Sequence, residues 1–391
     1  MSSSNRVRMP RTVWALGLVS FLMDVSSEMI HACLPLFMAQ TLGASAVWIG
    51  LVEGGGESAA LIVKVFSGWF ADRFGHRKAL VFTGYALGVL SKPVFALAGA
   101  MPVVLGARIA DRIGKGVRGA PRDAILADAV PPEIKGAAFG LRQSLDAAGA
   151  FAGPAIAAIL LWLTLDDFRL IFYAALIPGI LCLLMIILGV EDPKGADKPR
   201  RTAPNPIAMF RTAPPAFRQL VLVGVLFSLA KFSNAFIVLR AADAGMANAL
   251  IPLLMVGMNL VFSMSAYPFG VLADRVKPVH LLGIGLVLLI LSDLAFALPA
   301  STATVLAGTL LWGLHLGATQ GIFSLLTAQT APAEAKATAF GVFSFFSGLA
   351  LLAAGLAAGL LWEVFGATYA FAGGAVFAAL CGLVLMRSKF E

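Results

Sequence analysis

RIADRIGKGVRGAPRD, Arg108–Asp123, lies inside an otherwise apolar run that opens at Met101 and closes near Val130. Its polar residues Arg108, Asp111, Arg112, Lys115, Arg118, Arg122 and Asp123 are spaced by three and four. At about 100° per residue, that spacing gathers them on one side of a helix. An ionised residue at mid-bilayer depth costs roughly 2.5–3.5 kcal/mol on insertion scales, so this stripe predicts a helix facing other helices or internal water, not lipid.

The surrounding chain supplies the means of burying it. Of 391 residues, 59% are hydrophobic and only 13% are charged, a balance that excludes an ordinary soluble domain and indicates a polytopic membrane protein. The net charge of +8 is scattered over short loops and this one stripe, which argues for membrane topology and against a nucleic-acid partner. Cys33, Cys182 and Cys381 fall in apolar runs without metal-ligand spacing, so they read as buried free thiols. No metal site or cofactor is expected. MSSSNRVRMPR at the start carries basic residues with no small-residue cleavage site after the first apolar run, which reads as a retained span.

Segments of about 20 apolar residues can cross the hydrocarbon core as helices. They are expected near 12–39, 47–71, 79–98, 102–127, 138–163 and 169–190, then 218–241, 248–272, 279–299, 302–329, 338–362 and 367–387. The fold class is therefore an all-α integral membrane protein of twelve transmembrane helices. One set of helix ends holds Arg6, Arg8, Arg11, Arg73, Arg77, Lys78, Lys135, Lys194, Lys198, Arg200, Arg201, Arg275, Lys277, Lys336, Arg387 and Lys389; the opposite ends are nearly bare. The asymmetry places both termini in the cytoplasm of a bacterial inner membrane. Glu191–Phe217, with six prolines and mixed charge, reads as a linker with little regular structure. It divides the chain into bundles at 1–190 and 218–391.

The bundles repeat. Gly68-Trp-Phe-Ala-Asp72-Arg73 returns as Gly270-Val-Leu-Ala-Asp274-Arg275, and Glu133-Ile-Lys135-Gly-Ala-Ala-Phe139-Gly140 as Glu334-Ala-Lys336-Ala-Thr-Ala-Phe340-Gly341. Two matches at nearly one offset point to a parallel duplication of six-helix halves.

With Gly68-Trp-Phe-Ala-Asp72-Arg73-Phe-Gly75-His-Arg77-Lys78 after its second span, the chain resembles the major facilitator superfamily over its whole length. The resemblance implies a cytoplasmic gating loop in which Asp72 latches against Arg73, Arg77 and Lys78. Asp274 and Arg275 form a weaker second copy, because Lys277 and Pro278 follow. Gly140, Gly149, Gly153 and Pro154 in the fifth span resemble the helix-packing signature of the family's drug/proton antiporters, with Ala157 and Ala158 replacing the terminal glycine pair. That points to export. The fourth span departs from the family: Arg108 aligns with its usual arginine, but Arg112 stands where a glycine is expected, and Lys115, Arg118 and Arg122 are additional.

Helical spacing groups Asp24, Glu28 and His31 on the first span, Glu53, Glu57 and Lys64 on the second, and Arg142 with Asp146 on the fifth. With Arg108, Asp111, Arg112 and Lys115 they can form a proton site, an anion site or a self-neutralising network. Asp24 or Glu28 is the candidate for the exchangeable proton, with Arg112 and Lys115 either holding the acids ionised or, as expected here, left free to contact an anionic or polar substrate. The second half keeps Lys231, Asp293 and His315. Asn259 replaces Glu57 there, beside an apolar wall of Phe227, Phe232, Phe236, Met255, Met258 and Phe323. The expected function is a monomeric, proton-coupled exporter of a small organic solute. Proton-coupled uptake of an organic anion is the alternative. An embedded enzyme lacks a nucleophile elbow, metal cluster or phosphate loop here, and a channel fits buried mixed charge poorly.

Overall fold

Twelve long helices follow one another in the chain: α1 (Arg11–Thr41), α2 (Ala46–Phe74), α3 (Arg77–Leu97), α4 (Met101–Asp128), α5 (Lys135–Thr164), α6 (Phe168–Gly189), α7 (Pro215–Asp243), α8 (Ile251–Ala273), α9 (Pro278–Ala297), α10 (Thr302–Thr330), α11 (Lys336–Phe365) and α12 (Ala367–Arg387). This computed structural model describes residues 9–74, 77–131, 134–191, 205–273, 275–331 and 336–387, except for the side chains of 68–74, 206, 336 and 337. Ten of the helices are long and apolar enough to cross a membrane. The other two, α4 and α10, carry polar side chains into the protein interior. Arg108, Asp111, Arg112 and Arg118 are buried in α4, as are Trp312, His315, Thr319 and Thr327 in α10.

The packing repeats with the sequence. In the first half α1 lies on α5 and α6, and α4 lies between α2 and α3. In the second, α7 lies on α11 and α12, and α10 between α8 and α9. The halves meet along α2 with α11 and α5 with α8. Glycine makes the first of these seams possible. A Cβ on Gly359 would lie 2.6 Å from the Ala46 carbonyl oxygen, and one on Gly54 would lie 2.8 Å from that of Leu351. Gly50 and Gly355 approach each other backbone to backbone between them. The Gly54–Gly56 run is thus largely a helix-contact feature.

Two departures from regular helix were not expected. α1 breaks at Ala32–Cys33 and ends in a π-helical turn, Phe37–Thr41; α7 breaks over 231–233, between Pro215–Ala230 and Asn234–Asp243. These positions are equivalent under the repeat, so each half begins with a broken helix. Ser233 caps the second segment of α7, its Oγ accepting from the Ala235 N–H at 3.2 Å. The linker also corrects its expectation in part: Pro206–Thr212 is helical, started by Asn205, whose Oδ1 accepts from the Ala208 N–H at 3.0 Å. Asparagine followed by proline is a helix-start signal inside a proline-rich segment. The three cysteines are buried and free.

Candidate functional site

Side chains of α4 are shared among its neighbours, because positions three and four apart on a helix diverge by tens of degrees. Arg108 and Arg112, one turn apart, meet Glu53 and Glu57, one turn apart on α2. Arg108 Nη2 donates to Glu53 Oε2 at 2.6 Å, and Arg112 Nη2 lies 2.8 Å from Glu57 Oε1. Gly56 lets the arginine stems lie flat on α2, since a Cβ there would come within 2.9 Å of Arg108 Cγ. Asp111 turns the other way. Lys92 Nζ of α3 donates to Asp111 Oδ1 and to Ser27 Oγ, each at 3.1 Å. His31 bridges, with Nε2 3.6 Å from Asp111 Oδ2 and Nδ1 3.3 Å from Glu28 Oε1. Arg118 stacks over the Tyr85 ring, its Cζ 4.4 Å from the centroid. Toward the basic loops, Arg142 lies 3.4 Å from Asp146, and Arg122 donates to Asp123 at 3.1 Å and to Ser20 at 3.3 Å.

Arg112 is therefore not free as expected. Glu57 reaches it because α2 and α4 are in direct contact along this stretch. Lys115 differs. It is exposed in the middle of α4, and no carboxylate lies within 4.0 Å among the described residues. Its electrostatic neighbours are Asp24, Glu28 and Glu57. Among the described residues Asp24 has no cation within ion-pair distance; it stands beside Asp146 and Lys115. Gly149 and Gly153 bring α5 onto α1 at this point. A Cβ on Gly149 would lie 2.9 Å from that of Asp24, and one on Gly153 would lie 2.7 Å from that of Glu28. Pro154 is buried beside them, whereas Gly140 has nothing within 4 Å and takes no part in the seam.

Of the second-half candidates, Lys231 sits in the α7 break and senses the Glu57 carboxylate. Ser233 Oγ lies 3.4 Å from Glu53 Oε2. Asn259 is occupied in holding the α5–α8 seam, donating to the Ala150 carbonyl at 3.2 Å. The expected apolar wall is core: Phe227, Phe232, Phe236, Met255 and Met258 are buried, with Phe227 stacked on His315. Of the gating loop, Arg77 pairs with Asp128 at the foot of α4 at 2.6 Å, Lys78 Nζ donates to the Ile187 carbonyl at 3.1 Å, and Arg275 is exposed. The side chains of Gly68, Asp72 and Arg73, and Gly75 and Asp274 entirely, lie outside the described residues.

Lys92 is the member of the network that sequence reasoning missed. A single lysine deep in an apolar span was the available signal. At the end away from the basic loops the halves are tied by polar contacts. Gln40 and Asn248 exchange hydrogen bonds at 3.0 and 2.9 Å, Asn248 donates to Asp166 at 3.1 Å, and the Val47 N–H donates to Glu363 at 3.4 Å.

The model of the Major Facilitator Superfamily matches residues 16–239 and 220–390. An uncharacterized MFS-type transporter of Methanocaldococcus jannaschii is 30% identical over 397 residues, which covers 98% of this chain and 96% of that one. The quinolone resistance protein NorA of Staphylococcus aureus is 25% identical over 186 residues, 48% of this chain and 47% of its own. Among solved structures, a POT family transporter in complex with 5-aminolevulinic acid superposes with a TM-score of 0.83 at 15% identity, over 97% of this chain and 95% of that one. A D-xylose-proton symporter does so with a TM-score of 0.75 at 16% identity, over 97% and 98%. At such identities the superpositions speak to the fold.

Proposed function

The chain belongs to the major facilitator superfamily and is a secondary transporter rather than an enzyme, and from that premise we propose that it is a proton-coupled exporter of a small organic anion or amphipath. The observation that carries this is Lys115, exposed at mid-helix with no ion pair while Arg108, Arg112 and Lys92 are all neutralised. An unpaired ammonium beside an unpaired acid, Asp24, offers a substrate anion and a proton two adjoining places. Two carboxyls side by side, Asp24 and Asp146, form an arrangement that holds one exchangeable proton between them. Residues 1–190 and 218–391 are the two rocking bodies, and the basic loops face the cytoplasm. The partial likeness to a quinolone resistance protein and the Gly149–Gly153 seam support export. A thermal-shift screen of amphipathic organic anions on purified protein, followed by gradient-driven flux of the hits in proteoliposomes, tests it; stabilising anions that move independently of a proton gradient would refute the coupling.

Lys115→Ala is expected to weaken anion binding by about 10–100-fold, the value of roughly 1.5–3 kcal/mol for a charge-assisted contact, without loss of thermal stability. Arg112→Ala should do the reverse. It strips Glu57 of its nearer partner, leaving only Arg108 at 3.9 Å, and costs about 1–3 kcal/mol, less than for a fully buried pair because Glu57 is 40% exposed. Unchanged affinity in Lys115→Ala would sink the anion site.

Asp24→Asn and Glu28→Gln separate the proton candidates. At least one is expected to lose gradient-driven movement while still binding and exchanging substrate. If both variants concentrate substrate as the natural protein does, the exchangeable proton is not in the first half.

A further inference from the structure

The α3 and α9 helices share a register: Gly84, Ser91 and Phe95 recur as Gly285, Ser292 and Phe296, 201 residues on. Their contacts agree with it. Gly84 meets α4 at Gly114, and the Gly285 carbonyl meets His315, the counterpart of Gly114, with Nδ1 at 2.8 Å. The same offset carries Lys92 to Asp293, Asp111 to Trp312 and Ser27 to Ser228. Asp293 thus occupies, in the second half, the place where the first half keeps a lysine bound to an aspartate and a serine.

That pairing has no counterpart. Asp293 is 0% exposed, and neither carboxyl oxygen has a hydrogen-bond partner among the described residues; Trp312 Nε1 and His315 Nε2 are likewise buried and unpartnered there. Two other helices close the space. A Cβ on Gly374 of α12 would lie 2.8 Å from Asp293 Oδ2 and 3.1 Å from the carbonyl oxygen of Ala230, the last residue before the α7 break. The charged or titratable groups on the helices around it are Arg240 and Lys231 on α7, His315 on α10, and Tyr369 and Cys381 on α12, together with Arg218, Asp243 and Arg387 at the exposed ends of α7 and α12. Arg240 Nε is committed to the Phe296 carbonyl at 2.9 Å, Cys381 to that of Val223 at 3.5 Å, and Tyr369 is exposed. Lys231 senses Glu57 in the other half. None of them pairs with Asp293. An anion buried without a cation or donor is costly in any protein interior and more so at membrane depth. A neutral acid, with an O–H to donate, suits a site beside a helix-end carbonyl, that of Ala230.

We infer that Asp293 is a proton-binding site of the second half, distinct from Asp24 and Glu28, filled in the conformation with the Gln40–Asn248 end closed. When α7 flexes at 231–233 and water enters, the carboxyl O–H bond breaks and the proton passes to water, leaving the carboxylate hydrated. The α7 break is thereby the element whose position the proton controls. The inference rests on the family's alternation between conformations and not on the first-half assignment.

The test is infrared spectroscopy of the full chain in liposomes. The natural protein is expected to show the carbonyl stretch of a buried carboxylic acid at about pH 7 that Asp293→Asn removes and that Asp24→Asn and Glu28→Gln both retain. A second readout is the distance between spin labels on Thr41 and Ala247, beside the closed contact. Its open population should change with pH by up to about tenfold per unit, the one-proton limit, and lose that dependence in Asp293→Asn. Identical carbonyl spectra for the natural protein and Asp293→Asn across about pH 5–9, or identical pH responses of the labels, overturn the site. Should Asp24→Asn and Glu28→Gln both transport normally while the Asp293 band persists, the first-half reading fails and this one stands.

Discussion

Lys92→Met is expected to destabilise the protein by about 3–5 kcal/mol, the cost of removing one partner from a buried ion pair. Lys92 is 0% exposed and Asp111 3%, and they meet at 3.1 Å. Without the ammonium, Asp111 keeps only His31 at 3.6 Å and Arg112 at 4.0 Å, longer contacts from groups that serve Glu28 and Glu57 as well. The double substitution Lys92→Met with Asp111→Leu removes both charges and should recover most of the loss, because an apolar pair of similar volume is often neutral or better. Thermal or denaturant unfolding of the three variants beside the natural protein measures the cycle. A single variant as stable as the parent, or a double variant no better than the single, would show that the pair is not what holds α3 to α4.

Gly355→Leu is expected to disfavour the conformation described here by roughly 1–3 kcal/mol, the usual cost of overpacking, which is about 5–150-fold in population. Gly355 faces the Gly50 carbonyl directly, and its Cβ would also lie 3.2 Å from Gly54 Cα. These neighbours are backbone and cannot rotate away. The Thr41–Ala247 label pair should show the closed end splayed apart, and transport should fall with it. Gly257 and Gly382 have nothing within 4 Å, so leucine at either is the control. A closed end unchanged in Gly355→Leu would mean that the α2–α11 seam yields without opening the halves.

The spans were legible because lipid enforces them. Twenty apolar residues between basic loops have few other destinations, and the helix limits fall within a few residues of where hydropathy and charge put them. The broken first helices were not. Pro35 hints at the one in α1, but the α7 sequence Phe227-Ser-Leu-Ala-Lys-Phe-Ser233 carries no glycine or proline, and the break is recognisable mainly by equivalence with α1. Within the site, spacing along one helix correctly grouped Glu28 with His31 and Arg142 with Asp146. Partners on different helices could not be read that way. Glu53 takes Arg108 at 2.6 Å because both residues sit at the same height on helices in contact. Lys92 escaped for the same reason, its role being defined by two other helices.

The pairs that α4 makes with α2 and α3, Lys92–Asp111, Arg108–Glu53 and Arg112–Glu57, each carry both signs on adjoining helices of the first half. If the first half rocks as the proposed function has it, each pair travels as a dipole, and no net charge crosses the field with it. A transmembrane voltage does about 2.3 kcal/mol of work per elementary charge per 100 mV, and a neutral pair displaced together takes almost none of it. Voltage therefore acts on what the cavity loads and on unpaired groups such as Lys115 rather than on these pairs, so any voltage dependence of the empty transporter's return should fall in Lys115→Ala and persist in the double substitution Lys92→Met with Asp111→Leu.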